Sequence, residues 1–75
     1  MITAKYIFDR NPYPDKECPL EDGQSYEVEF IDMGQYHTSI SLNGFREHFN
    51  SVCFEFFENG KPLNIYKDKR FNPYM

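Results

Sequence analysis

Val52-Cys53-Phe54-Glu55-Phe56-Phe57-Glu58-Asn59-Gly60-Lys61-Pro62-Leu63-Asn64-Ile65-Tyr66 is the stretch that decides the fold. Asn59-Gly60 is a strong signal for a two-residue β-hairpin loop. A type I′ turn needs positive φ at both central residues, which Asn and Gly tolerate best. With those two residues in the loop, Glu58 pairs with Lys61, Phe57 with Pro62, Phe56 with Leu63, Glu55 with Asn64 and Phe54 with Ile65. Phe56–Leu63 and Phe54–Ile65 then share one face, because a strand alternates its side chains with a period of two. A slip of one residue would turn that apolar set toward water, so the register is well specified. An isolated hairpin is marginal in water, and the rest of the chain must cover its apolar face.

The chain has 75 residues, enough for one domain with one modest core. Six Tyr and eight Phe supply the large buried areas that a small core otherwise lacks. β-branched and aromatic runs outnumber any period of 3.6, which points to an all-β domain. Twelve acidic and eight basic side chains give a net charge of −4. That balance disfavours sequence-independent nucleic-acid binding, which rests on neutralising phosphates, though a local basic patch stays open.

Outward from the hairpin, Ile2–Phe8 reads as a first strand, with Ile2, Ala4, Tyr6 and Phe8 on one face. Asp9–Ser25 carries Pro12, Pro14 and Pro19 and little alternation, so it is expected to be an ordered loop. A loop of that length in a small domain is a place where function often sits. Tyr26–Ile31 alternates cleanly, with Tyr26, Val28 and Phe30 pointing in and Glu27 and Glu29 out. Tyr36–Leu42 follows, with Tyr36, Thr38, Ile40 and Leu42 on one face. Matching those faces predicts a three-residue loop, Asp32-Met33-Gly34, that sets Phe30 opposite Tyr36 and Val28 opposite Thr38. Gly34 would then be left-handed. Phe45 and Phe49 are spaced for one short helical or 3₁₀ turn over residues 45–50. Residues 67–75 form a basic, aromatic C-terminal tail, and no internal repeat or second domain is visible.

Five short strands, one long early loop and a late helical turn predict a small five-stranded SH3-like barrel spanning residues 1–75. Closure of the sheet hides the edges that a small all-β chain must manage. An open five-stranded meander or an OB-like barrel is the alternative, the latter lacking its usual helix. The pattern Leu20-x-x-Gly23-x-x-Tyr26-x-Val28, with its following glycine turn and alternating strand, resembles small SH3-like barrels of uncharacterised function. Such proteins occur in Gram-positive bacteria, their phages and mobile elements. Phe49-Asn50-Ser51-Val52-x-Phe54-Glu55-Phe56 together with Asn72-Pro73-Tyr74 is similar to a narrower set of them. The resemblance implies a fold and a lineage; it brings no catalytic residues.

Cys18, Cys53, His37 and His48 have no finger-like spacing, so neither a metal nor another cofactor is expected. The residues Met1–Tyr6 lack a basic region followed by an apolar core, and no apolar run approaches transmembrane length. A cytoplasmic protein with two free thiols is therefore expected, a Cys18–Cys53 disulfide being the alternative. Cys53 is expected on a strand, facing away from the core beside Glu55, where a carboxylate would raise the thiol pKa and spoil a nucleophile. Glu27 and Glu29 read as a solubilising stripe, and no serine elbow or phosphate loop is present. An enzyme is not expected.

Binding is the stronger class. Tyr13, between Pro12 and Pro14 on the long loop, together with Phe71 and Tyr74 of the tail, forms the expected protein-binding surface. In SH3-like barrels the resemblance places a peptide groove beside this loop, with Tyr66 also at hand. A lid role for Tyr13, packed over one end of the barrel, is the competing reading. Lys67, Lys69 and Arg70 interleave with Tyr66, Phe71 and Tyr74, a pattern suited to single-stranded nucleic acid. A tail folded over the barrel, anchored by Phe71 and Tyr74, competes with it. Ile7 and Phe57 on outer strand faces offer a self-association surface. An acidic DNA mimic presenting Glu27, Glu29 and Glu55 is a third reading.

Overall fold

A computed structural model describes residues 1–11 and 18–74 of the chain. Six strands form one antiparallel sheet: β1 (Ile2–Tyr6), β2 (Ser25–Met33), β3 (Thr38–Leu42), β4 (His48–Asn50), β5 (Phe54–Glu58) and β6 (Lys61–Leu63). Their spatial order is β4-β3-β2-β1-β5-β6, an open sheet in which β4 and β6 form the edges. Among the described residues three single 3₁₀ turns accompany the strands: η1 (Phe8–Arg10), η2 (Ser51–Cys53) and η3 (Ile65–Lys67). No α-helix occurs among the described residues. The protein is all-β, but the expected five-stranded closed barrel is corrected to six strands in an open order.

The Asn59-Gly60 hairpin forms in the register its sequence dictates, with Phe56 opposite Leu63, Phe57 opposite Pro62 and Glu58 opposite Lys61. Asn59 has φ 52° and Gly60 φ 83°, the two positive values that a type I′ turn demands. Pairing stops at Leu63, because Asn64 caps η3 by accepting a hydrogen bond from the Tyr66 amide at 3.0 Å. Ile65 is nevertheless fully buried, delivered to the core by η3 instead of by a strand.

The β2–β3 hairpin departs from the expected register. Val28 lies opposite Leu42, but Phe30 lies opposite Ser41, so a bulge adds one residue at Glu29. An extra residue in one strand reverses the parity of everything beyond it. Ile31 and Met33 therefore turn toward the core, while Phe30, expected inside, is 60% exposed. Pairing continues to Met33–Thr38, leaving Gly34–His37 as the connection in place of Asp32-Met33-Gly34. Tyr36, expected on the inner face of β3, is 94% exposed in this loop. Gly34 is not among the glycines with positive φ. Its requirement is steric: its amide donates to the His37 carbonyl at 2.8 Å, and a Cβ there would meet that oxygen at 2.8 Å.

Two further expectations are corrected. The helical turn predicted over residues 45–50 forms one element later, as η2, and His48–Asn50 pairs with β3 instead. Cys53, expected on an outward strand face, sits in η2 with its side chain in the core. The first strand also ends early, at Tyr6, and Phe8 opens η1 half exposed.

The core gathers Ala4 and Tyr6 from β1, Leu20 from the long loop, Ile40 and Leu42 from β3, Cys53, Phe54 and Phe56 around β5, and Ile65. A run of ring contacts crosses it from Tyr26 through Phe45, Phe49 and Phe54 to Phe56, at centroid separations of 5.6 to 6.3 Å. Edge-to-face and tilted pairs of this kind add to the area they bury. Phe45 and Phe49 do share a face, as their spacing implies, but through β4 and its approach. The C-terminal end of the long loop is tied to β1, where the Tyr6 amide donates to the Gln24 carbonyl and the Gly23 amide to the Tyr6 carbonyl. Tyr13 lies outside the described residues.

Candidate functional site

The tail is shaped by a device repeated every four residues. The side chains of Asn64, Asp68 and Asn72 accept hydrogen bonds from the amides of Tyr66, Arg70 and Tyr74, at 3.0, 2.9 and 2.9 Å. Asn50 does the same for Val52 at 3.2 Å. Each is an Asx turn, in which a short polar side chain stands in for a backbone acceptor and reverses the chain locally. The spacing Asn64-x-Tyr66, Asp68-x-Arg70, Asn72-x-Tyr74 was the available signal for this tail.

These turns fold the tail back across η2. The buried Ser51 hydroxyl and the Tyr66 hydroxyl lie 2.6 Å apart, joining η2 to η3. The Asn72 side-chain Nδ2 donates to the Tyr66 carbonyl at 2.7 Å. Phe71 is half-buried against the core, and the Arg70 guanidinium stands 5.0 Å above its ring. Arg70 also makes a bidentate pair with Glu58 at 2.8 and 2.9 Å and a contact with Asp68 at 2.7 Å. Those hydrogen bonds hold both carboxyls below their usual range and raise the guanidinium still further.

Between the β2–β3 loop, η2 and the tail runs an open groove of about 380 Å³. Tyr36 and His37 border it on one side and Ser51 and Val52 form its floor. Tyr66, Asn72 and Tyr74 make the other wall. Among the described residues no Asp, Glu, Lys or Arg lines it, in a chain where 27% of residues are charged. Several of its polar side chains already serve the fold: Ser51, Tyr66, Asn50 and Asn72 are bonded within the protein. The rings of Tyr36 and Tyr74 remain exposed, with Val52 half exposed between them. Such a surface can stack on flat or apolar groups and offer a few hydroxyl hydrogen bonds.

The sequence-derived candidates are thus separated. Tyr74 borders the groove, whereas Phe71 is a packing residue beneath the tail. Lys67 and Lys69 are exposed, but Arg70 is engaged by two carboxylates. Tyr36 and Val52, which border the same groove, were not singled out from the sequence. Both thiols are free: Cys18 is half-buried and Cys53 buried, and burial, then the charge of nearby Cys18, pushes the Cys53 thiol up. Burial likewise raises the Tyr6 phenol. No group of three His, Cys, Asp or Glu side chains placed to hold a metal occurs among the described residues. No described helix is long and apolar enough to cross a membrane.

A family model described as bacteriophage T4 protein Y07B matches residues 6–75. The chain belongs to that phage protein family. No curated protein and no solved structure matches it. The match covers β2 to β6 and only the last residue of β1, and it includes η2, the β2–β3 loop and the tail that enclose the groove.

Proposed function

We propose that this phage-family chain is a non-enzymatic protein-binding module, a single SH3-like domain serving as a small regulator or inhibitor in the host cytoplasm. The groove beside the tail carries the proposal. Exposed Tyr36 and Tyr74 and half-exposed Val52 form one contiguous surface without charge. Aromatic side chains gathered in a concave site are the usual anchors of protein recognition. Its described lining has no Lys or Arg to meet a phosphate, which favours a protein partner over nucleic acid. The SH3-like reading draws support from the long loop after β1, the hairpins that follow and the 3₁₀ turn between β4 and β5. In that reading β6 and the tail are additions to a five-strand unit.

The test is affinity capture of the tagged chain from host lysate, with and without nuclease, beside a Tyr36→Ala/Tyr74→Ala variant. The expected result is a nuclease-resistant protein that the variant no longer retains. Retention by the variant would remove the groove as the binding surface. A parallel variant with Tyr13, Phe71 and Tyr74 all changed to Ala tests the surface expected from sequence. Recovery of nuclease-sensitive material alone would move Lys67, Lys69 and Arg70 to first place.

A further inference from the structure

We infer that the outer face of β2, centred on Phe30, is a second docking surface, and that its occupant is a lysine- and arginine-rich protein surface. Strict alternation would have placed Phe30 in the core; the bulge at Glu29 turns it out, and Ile31 takes the inward place. Burying an aromatic ring stabilises a fold, so holding Phe30 60% exposed forgoes stability. Bulges that re-aim one side chain are a recurrent device beside functional surfaces.

The surroundings of Phe30 define the partner. Glu27, Glu29 and Asp32 are exposed along the same strand, and none pairs with a described cation. Across the sheet, Phe30 faces Ser41 and then His48, and Asp32 faces Ser39, all on the outer side. The nearest lysine by register is Lys5, opposite Ser25. An apolar anchor rimmed by charges of one sign is complementary to a surface of the other sign. The same charges disfavour a second copy of this chain as the occupant. A two-fold interface would set the three carboxylates against their own copies in a molecule of net charge −4. The surface shares no residue with the tyrosine groove.

The test is an NMR titration of the whole chain with a short blocked peptide alternating Lys or Arg with Leu. An uncharged Gln-for-Lys/Arg peptide serves as control. Binding is expected to shift the resonances of Glu27, Phe30, Asp32 and Ser41, and to weaken steeply with salt. Phe30→Ser should reduce affinity about tenfold or more, as loss of an anchor does. Glu27→Gln/Glu29→Gln/Asp32→Asn should weaken binding and flatten the salt dependence. Tyr36→Ala should leave it unchanged. Shifts spread evenly over Asp9, Glu21, Asp22 and Glu47, with Phe30→Ser binding as the parent does, would overturn the inference. So would sedimentation showing a concentration-dependent dimer that Phe30→Ser abolishes.

Discussion

The two principal hairpins of this sheet hold their registers by different means. In β5–β6 the turn itself sets the register: Asn59 and Gly60 take the positive φ values of a type I′ loop, and three pairs follow in step. In β2–β3 the turn has little say. Its four-residue connection is held by the close approach of Gly34 to His37, and the bulge at Glu29 divides β2 into two halves of opposite parity. The first half is where β2 pairs with β1, and past the bulge its partner is β3 alone. A tight turn can therefore impose order from inside a segment. A bulge answers to what the strands on either side require.

The sharpest way to break this contrast is to compare two phenylalanines that alternation alone would treat alike. Phe56→Ala, in the buried half of β5, should cost about 3–5 kcal/mol by denaturant unfolding. Phe30→Ser should stay within about 0.5 kcal/mol of the parent. A large loss at Phe30 would mean that the bulge is absent in solution. Glycine substitutions come next in size. Gly34→Ala should cost about 1–3 kcal/mol because its Cβ meets backbone, and Gly34→Asn should be no better. Gly60→Ala should cost about 1–2 kcal/mol, and there Asn should recover part of it, since Asn tolerates the left-handed region. Equal behaviour of Asn at both sites would erase the distinction between conformational and steric demand.

A smaller effect links the tip of the β5–β6 hairpin to the tail. Glu58 and Asp68 have lowered pKa values because they bond Arg70, so their contribution is present above the ordinary carboxylate range of about 4. It is lost as pH falls through the lowered folded values. Amide resonances of Phe71 and Asn72 should hold steady down to about pH 4 and move only below it. Glu58→Gln should shift part of that movement away, while leaving the Asn59-Gly60 turn intact. The least perturbing probe is chemical. Cys53 should react with iodoacetamide far more slowly than an unhindered thiol, since it is buried and its thiolate is disfavoured.

The candidate groove was only partly legible in the chain. Tyr66 and Tyr74 attract notice because they stand in a short basic, aromatic tail. Tyr36 does not, since it completes the alternation of Thr38, Ile40 and Leu42 and reads as one more core residue. Val52 was hidden for a related reason, lying beside a strand whose pattern absorbed it. Phe71, named from the sequence beside Tyr74, is half-buried against the core with the Arg70 guanidinium over its ring, a placement its own sequence neighbours do not reveal.

Local sequence determined what local geometry controls. The Asn59-Gly60 turn, the inward set Ala4, Tyr6, Thr38, Ile40 and Leu42, and the all-β class follow from φ preferences and a period of two. Tertiary structure alone decided the bulge, the outward Phe30, the placement of the 3₁₀ turn at Ser51–Cys53 and the meeting of Tyr36 with Tyr74. Each of these depends on which strands become neighbours. A residue's exposure past a bulge is set by the core on the far side of the sheet, and no alternation within its own strand records it.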